Sequence, residues 1–407
     1  MNLNKSLVAI IFFTTIATFS SAQFCTQDER YTNAEYFSID EIDSLSNITY
    51  ANAINWQGNS EELQLDLYFP ENSIDTASSR PFIMLIHGGG FEIGDKSWQR
   101  AECLEFAKRG YVTASINYRL GFNHSDPLGF QRAVYRAQQD ANAALRYCID
   151  IASSIKMDTS WIFIGGNSAG SITALFTNYF SQEEWVSFQP GVELALGSLN
   201  NNGNNLTHPF TIKGIFNNCG AAPYAIDLDE LTPMVSFHGL LDNVVPIDTA
   251  AYGTLGSGSI HNKLNEEGIC NDFTVDPLAG HCAYTSPEGT IFRIDRASCF
   301  FKSLFCQDCT SFYATAAVPA ECSSLTTSLS EVGDTNEIIA YPNPFNNQLN
   351  ISGLMGNEQF RLYDSFGRLI FEGTDLKSQN FRNLPPGLYL LTIEGDEWSQ
   401  TEKLIKH

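Results

Sequence analysis

A glycine-flanked serine directly after an apolar run constrains the fold of this chain more than any other feature. The run Trp161 to Ile164 predicts a buried strand, and Gly166 to Gly170 (GNSAG) follows it. Glycine on both sides of Ser168, together with the small Ala169, allows a sharp turn from strand to helix. Such a turn would hold the serine hydroxyl above the end of a sheet. The pattern also occurs by chance, so it needs further support.

A second glycine-rich turn provides that support. Phe82 to Ile86 predicts another buried strand, and His87 to Phe91 (HGGGF) follows it directly. Backbone N–H groups in a turn of this kind can stabilise an oxyanion, and the residue after the serine supplies one more. We therefore predict an oxyanion hole formed by the N–H groups of Gly89, Gly90 and Ala169.

A nucleophilic serine needs a base and an acid that orients the base, in the chain order serine, acid, histidine. Asp242 follows the apolar run Pro233 to Phe237, and His281 lies further along the chain. Each separation leaves room for a strand and a helix. We predict Ser168 as the nucleophile, Asp242 as the acid and His281 as the base.

Other residues compete for these roles. The rival acids are Asp227, Asp229, Glu230, Asp272 and Asp276. The first three precede a predicted strand and would lie at the wrong edge of the sheet, whereas the last two remain weaker alternatives to Asp242. The other histidines are His87, His124, His208, His238, His261 and His407. His87 is expected to shape the oxyanion turn and His238 to support the acid loop, and the other four are expected to be ordinary polar residues.

In this order, the motifs resemble the α/β-hydrolase superfamily, in particular carboxylesterases and hormone-sensitive-lipase-like esterases with an HGGGF motif. The resemblance covers roughly Ala51 to Phe305. Ile116 to Gly121 (INYRLG) and the acid loop His238 to Pro246 (HGLLDNVVP) are also similar to segments of these esterases. The resemblance implies an α/β fold with a mostly parallel central sheet. A short cap insert is expected between Ser181 and Phe210.

The resemblance also implies a serine carboxylic-ester hydrolase of the EC 3.1.1 class, with an acyl-enzyme intermediate and no cofactor or metal. Two alternatives remain open: a peptidase of the same fold, and a surface-binding protein without activity. The motifs do not distinguish small-molecule from polymer-borne esters, nor acetyl, feruloyl, lipid and polyester substrates.

The first residues and the cysteines indicate export. Met1 to Ala22 combines an early lysine, an apolar stretch and a small-residue end, which predicts a cleaved signal peptide. The chain has 10 cysteines, all beyond this segment, and an even number in an exported protein favours disulfides. Cys306 and Cys309 have no second pair at zinc-site spacing. The cysteines from Cys299 to Cys322 are expected to fasten the last helix to the segment after it.

Charge and length limit the partners and the architecture. The formal net charge of −23 repels nucleic acid and anionic membranes, so we expect neither as a partner. The apolar stretch within Met1 to Ala22 is too short for a membrane span, so we expect no transmembrane span. A chain of 407 residues exceeds the size at which one core usually stops growing, which predicts a second domain. We expect a catalytic domain at residues 23–310 and a linker containing Cys, Ser and Thr at 311–337.

The C-terminal segment differs in character from the rest. Residues 338–407 contain short alternating strands separated by Asn, Gly and Pro, which predicts a small β-sandwich. Tyr341 to Phe345 (YPNPF), Leu362 to Ile370 (LYDSFGRLI) and the lysine-bearing end resemble the sorting domain of the type IX secretion system of Bacteroidetes. This resemblance implies recognition by that machinery and delivery to the cell surface or medium. A carbohydrate-binding or adhesive β-module is the alternative.

Overall fold

The computed structural model describes residues 23–26, 28–200, 202–223, 231–250, 253–320, 322, 339–341, 345, 347–352, 358–364, 368–385, 387–395 and 399–406. The chain divides into two compact units, Met1–Leu325 and Thr326–His407. The predicted signal peptide and residues 323–337 of the predicted linker lie outside the described residues.

The first unit is a layered α/β structure. Its strands are β1 (Ile42–Ile54), β2 (Ser60–Pro70), β3 (Arg80–Ile86), β4 (Val112–Ile116), β5 (Met157–Asn167), β6 (Ile212–Asn218), β7 (Ala221–Ala222), β8 (Met234–Gly239), β9 (Leu255–Gly256), β10 (Asn271–Asp276) and β11 (Phe312–Ala314). Its α-helices are α1 (Arg100–Lys108), α2 (Gly129–Asp150), α3 (Ala169–Tyr179), α4 (Gln182–Phe188), α5 (Val192–Leu196), α6 (Ser257–Glu266) and α7 (Pro287–Cys306).

Nine of these strands form the central sheet in the order β1-β2-β4-β3-β5-β6-β8-β10-β11. The pairs β1/β2 and β2/β4 are antiparallel, and all pairs from β4 to β11 are parallel. The predicted α/β fold class with a mostly parallel sheet is confirmed. Because the parallel strands share one direction, their carboxyl ends meet at one edge, where ligand sites of such sheets lie.

Strand β3 shows why the sheet is buried on both faces. All 7 of its residues are buried. Phe82, Met84 and Ile86 belong to one hydrophobic core, and Ile83 and Leu85 belong to the other. This alternation is the two-residue period of a strand, and a continuous apolar run is typical of a parallel strand covered by helices on both sides.

Two elements at the edges of the sheet were not predicted from the sequence. The largely exposed β1 forms one edge and pairs with β2. Strand β11 pairs with β10 at the other edge and lies within the segment 311–337 that we expected to be a linker. A three-residue strand has too short an apolar pattern to be recognised from sequence, so the first unit extends further than residue 310.

Four disulfides stabilise the first unit: Cys25–Cys306, Cys219–Cys282, Cys270–Cys309 and Cys299–Cys322. Only the last joins α7 to the segment after it. Cys306 and Cys309 were expected to do the same, but they bond to Cys25 and Cys270 instead. Cys103 and Cys148 are buried and free. Burial raises the pKa of the Cys148 thiol to about 12, which keeps it protonated and unreactive.

The second unit is antiparallel. Its strands are β12 (Ile339–Tyr341), β13 (Asn350–Ser352), β14 (Gln359–Asp364), β15 (Leu369–Gly373), β16 (Gly387–Glu394) and β17 (Ser399–Lys406). The last four form a sheet in the order β15-β14-β16-β17, and β12 pairs with β13. Phe360, Leu391 and Leu404 pack in a core that belongs to this unit alone. Among the described residues, no helix is long and apolar enough to span a membrane.

Candidate active site

Ser168 occupies a strained turn at the carboxyl end of β5, the fifth of the nine strands. Its φ of 52° and ψ of −121° lie in a region that non-glycine residues rarely adopt, and such strain is found mainly at functional sites. Gly166 and Gly170 both approach the carbonyl oxygen of Ile86 so closely that a Cβ at either position would collide with it. The two flanking glycines therefore permit the turn that presents the serine.

The structure brings Ser168, His281 and Asp242 into one hydrogen-bonded line. The Oγ of Ser168 lies 2.7 Å from Nε2 of His281, and Nδ1 of His281 lies 2.8 Å from Oδ2 of Asp242. A carboxylate only accepts, so Nδ1 donates the proton and Nε2 is left to accept the serine proton. In this arrangement the histidine can take a proton from the hydroxyl while the carboxylate fixes the tautomer.

The acid loop holds Asp242 through its backbone. The side chain of Asp242 is fully buried, and Oδ1 accepts hydrogen bonds from the N–H groups of Val244 and Val245, both at 2.9 Å. The other carboxylate oxygen, Oδ2, faces Nδ1 of His281. Both oxygens of this buried side chain therefore have hydrogen-bond donors, which fixes its orientation toward the imidazole.

The rival acids have other partners. Asp272 is paired with Arg296. Asp276 accepts hydrogen bonds from the N–H groups of Leu278 and Ala279, and thus shapes the loop that carries His281 without touching the imidazole. Asp227, Asp229 and Glu230 lie outside the described residues.

The predicted oxyanion residues lie around the serine, although not equally close to the pocket. Gly90, Ser168 and Ala169 line one pocket, whereas Gly89 does not. Gly89 has a φ of 113° and Gly90 a φ of 64°, backbone conformations that favour glycine. Within the described residues, the N–H groups of Gly90 and Ala169 donate to no protein acceptor. Free N–H groups beside a serine hydroxyl can stabilise negative charge on a bound oxygen.

His87 and His238 support the loops. His87 stacks on Tyr118 with ring centroids 4.5 Å apart, and its Nδ1 lies 2.7 Å from the oxygen of Gly88. His238 is buried, with Nε2 2.8 Å from the carbonyl oxygen of Val245. Burial lowers the pKa of the His238 imidazole, so a neutral ring holds the acid loop.

One group of polar residues near the serine was not predicted from the sequence. Asn167 accepts hydrogen bonds at Oδ1 from Asn218 at 2.8 Å and from Arg293 at 3.3 Å. Arg293 also pairs with Glu102 at 3.1 Å. Burial lowers the pKa of the Arg293 guanidinium, and Glu102 compensates its charge. Asn167 fills the variable position of the GNSAG motif, which explains why the motif did not identify it.

An apolar pocket of about 320 Å³ adjoins Ser168. Its aromatic walls are Phe91, Phe130, Phe176, Phe180, Trp185 and Phe188. The cap insert provides two of them, because α4 carries Trp185 and Phe188. The Nε1 of Trp185 donates to Oε1 of Gln138 at 2.6 Å, which anchors the cap on α2. The pocket can therefore bind a large apolar group beside the serine.

The disulfide Cys219–Cys282 ties the histidine loop to the end of β6. Cys282 directly follows His281, and the neighbour of Cys219, Asn218, accepts the N–H of Ser168 at 2.9 Å. Cys219, Cys282 and His281 also lie close enough to hold a metal, but the two thiols are joined to each other. The bond thus connects the backbone around the serine with that around the histidine.

We expect the double variant Cys219→Ser/Cys282→Ser to lose kcat by about 10- to 100-fold, because small misplacements of reacting groups are costly. Loss of a native disulfide should also lower the melting temperature. The matched control is Cys299→Ser/Cys322→Ser, which should lower the melting temperature without lowering kcat. Equal kcat losses in both double variants would contradict a specific role for the bond beside His281.

Two segments of the chain match family models. Residues 65–225 match the family BD-FAE, and residues 339–407 match the secretion system C-terminal sorting domain. These matches confirm the two resemblances predicted from the motifs, an esterase domain of α/β-hydrolase type and a type IX sorting domain. The second match indicates secretion to the cell surface or the extracellular space.

Curated relatives match shorter stretches. Esterase LipI from Mycobacterium tuberculosis is 30% identical over 109 residues, which are 26% of this chain and 31% of that protein. The cAMP-regulated D2 protein from Dictyostelium discoideum is 31% identical over 133 residues, 31% of this chain and 24% of its own. The chain therefore spans less than a third of the length of these relatives.

Solved structures align with about two thirds of the chain. A truncated carbohydrate esterase from gut microbiota has a TM-score of 0.48 and 18% identity, with 67% of this chain and 98% of that chain covered. Esterase 2 from Thermogutta terrifontis, phosphonylated by cyclosarin, has a TM-score of 0.48 and 20% identity, with 66% and 96% covered.

Proposed function

We propose that this protein is a secreted serine carboxylic-ester hydrolase of the EC 3.1.1 class that acts through an acyl-enzyme intermediate. The observation that carries the proposal is the continuous line from Ser168 Oγ to His281 Nε2 at 2.7 Å and from His281 Nδ1 to Asp242 Oδ2 at 2.8 Å. The match of residues 65–225 to an esterase family supports the same reaction class.

In the proposed reaction, Ser168 attacks the acyl carbon while His281 removes its proton, and Asp242 stabilises the imidazolium that forms. The N–H groups of Gly89, Gly90 and Ala169 stabilise the oxyanion. His281 then returns the proton to the leaving alcohol, which departs and leaves an acyl-enzyme. Water, activated by the same histidine, attacks the acyl carbon and releases the acid and the free serine.

The lining of the apolar pocket indicates which half of the ester the pocket binds, the acyl group or the alcohol. Its aromatic walls offer no charged group to bind a polar alcohol, so we assign it to the acyl group. Trp185 is 1% exposed, and the cap helix that carries it is anchored on α2. The pocket is therefore preformed and should favour a bulky apolar acyl group over acetyl.

A panel of p-nitrophenyl esters from acetyl to decanoyl, run together with a feruloyl ester and peptide anilides, tests the proposal. We expect ester hydrolysis with kcat/KM rising from acetyl to medium-length or aryl acyl groups. Cleavage of anilides without esters would favour the peptidase. A folded protein inactive on the whole panel would favour the binding protein. The Phe188→Ala variant should flatten the chain-length preference, since it removes one wall of the pocket.

Removal of the second unit should leave the chemistry intact. A truncated protein spanning residues 23–325 retains both hydrophobic cores of the first unit and all four disulfides, so we expect hydrolysis within about two-fold of the full chain. In the native host, deletion of the second unit from a chain that keeps residues 1–22 should trap the enzyme in the periplasm. Normal delivery of the truncated chain would contradict the sorting role, and loss of binding to an insoluble polymer would favour a binding module.

A further inference from the structure

A second cavity lies beside the apolar pocket. It has a volume of about 470 Å³, within the ~300–1,000 Å³ typical of small-molecule sites. Phe122 lines this cavity and Phe130 lines the apolar pocket, and their ring centroids are 5.9 Å apart. The oxyanion turn is also close, because the N–H of Gly121 donates to the carbonyl oxygen of Phe91 at 2.7 Å.

Arg136 lines the cavity with a buried guanidinium. The residue is 4% exposed, and its Nη2 donates to the carbonyl oxygen of Gly121 at 2.8 Å. Its Nε is buried without a hydrogen-bond partner. Among the described residues, no carboxylate lies within ion-pair distance of it. Burial, with Arg119 nearby, lowers the pKa of the Arg136 guanidinium to about 10. A guanidinium that is buried and has no carboxylate within ion-pair distance among the described residues favours an anionic ligand.

The neighbouring carboxylates are already engaged. Arg119 binds Asp140 at 2.7 Å, and Arg132 binds Asp126 at 2.8 Å through Nη1. The Nε of Arg132 is buried and unpartnered like that of Arg136. Asp140 and, more weakly, Glu61 attract the Arg136 guanidinium from beyond ion-pair distance. The residues that line the cavity therefore include three arginines and one aspartate, inside a protein with a formal net charge of −23.

The remaining lining suits a hydroxyl-rich ring. Trp56 is 42% exposed and contributes an aromatic side chain to the lining. Its indole lies so close to Gly121 that a Cβ there would collide with it. Asn123 and Asn202 add amide groups. Paired guanidiniums, an aromatic face and amides together match a ring that bears hydroxyls and one carboxylate.

We propose that the cavity at Trp56, Arg132 and Arg136 binds the carboxylate of a sugar acid. The guanidiniums hold the carboxylate, and the indole packs against the ring. The consequence for the substrate rests on the proposed ester hydrolysis: the sugar acid is then the alcohol half of the ester, bound next to the oxyanion turn while the acyl half occupies the apolar pocket. Free sugar acids and sugar-acid residues of a polymer present the same chemistry.

Calorimetric titration of the full chain carrying Ser168→Ala tests binding independently of hydrolysis. The probes are D-glucuronate, an oligomer of glucuronate residues, D-glucose and acetate. We expect glucuronate to bind at least about ten-fold more tightly than either glucose or acetate, since charge-assisted paired hydrogen bonds are the strong ones. A tighter oligomer would identify a polymer as the source. Binding of acetate as tight as that of glucuronate would overturn the sugar site, as would equal binding of glucose.

Two partly exposed positions avoid the risk that an Arg136 variant fails to fold. Arg132→Gln and Trp56→Ala should each weaken glucuronate binding about ten-fold, whereas the exposed Lys213→Gln should leave it unchanged. Unchanged binding in both cavity variants would overturn the assignment.

A second measurement separates this inference from the proposed function. With active protein, an acyl ester of methyl glucuronoside should be hydrolysed with at least about ten-fold higher kcat/KM than the same ester of methyl glucoside. Arg132→Gln should abolish this preference, whereas the exposed Lys213→Gln should leave both the preference and p-nitrophenyl ester hydrolysis unchanged. Glucuronate binding without any ester hydrolysis would refute the esterase alone. Hydrolysis of p-nitrophenyl esters without glucuronate binding would refute the sugar-acid site alone.

Discussion

Replacement of Ser168 by alanine should abolish ester hydrolysis, with kcat reduced by a factor on the order of 10⁵, because the reaction loses its nucleophile. Covalent labelling by a fluorophosphonate should disappear with it. The Oγ of Ser168 is the atom that His281 contacts at 2.7 Å, and alanine keeps the Cβ and the backbone of the turn. We therefore expect an unchanged melting temperature.

The control for this experiment is Ser78→Ala, which replaces an exposed serine outside the site. That variant should label and hydrolyse like the unmodified protein. Labelling that persists in a folded Ser168→Ala protein would place the nucleophile elsewhere and remove the central residue of the proposed mechanism.

Much of the site could be predicted because the fold fixes it through short local patterns. The sharp turn at Ser168 depends on flanking glycines that are visible in the sequence, and the glycine-rich turn His87 to Phe91 follows a recognisable apolar strand. Asp242 and His281 follow later apolar segments in the order that the sheet requires. Such signals need only neighbours in sequence, and the structure brings the three side chains together as those signals predicted.

The remaining features depend on packing between distant segments. Asp140 and Arg119 form a buried pair across 21 positions, and no carboxylate of the described residues lies within ion-pair distance of Arg136. Neither fact is visible in the sequence. Disulfide connectivity likewise requires spatial proximity, so Cys25 could not be assigned to Cys306 beforehand. Strand β11 is too short to show a pattern.

The asparagine variant of Asp242 should reduce kcat by about 10⁴-fold, since an amide in place of a triad carboxylate favours the wrong histidine tautomer. The carboxylate now accepts the proton on Nδ1 of His281 at 2.8 Å. An asparagine N–H at that oxygen would instead donate to Nδ1, so the proton moves to Nε2, and Nε2 could no longer accept the proton of Ser168. The steady-state kinetics of a p-nitrophenyl ester measure the loss.

Asp276→Asn is the matched control for this change, because it makes the same replacement in the loop that carries His281. Its Oδ1 accepts from backbone N–H groups at 2.9 and 3.1 Å, and an asparagine oxygen can accept them as well, so we expect less than about a ten-fold loss. Adding Asp242→Asn to Ser168→Ala should cause little further loss, because residues that act as a unit are not additive. A near-normal kcat in Asp242→Asn together with a large loss in Asp276→Asn would transfer the acid role to Asp276 and refute the assignment of Asp242.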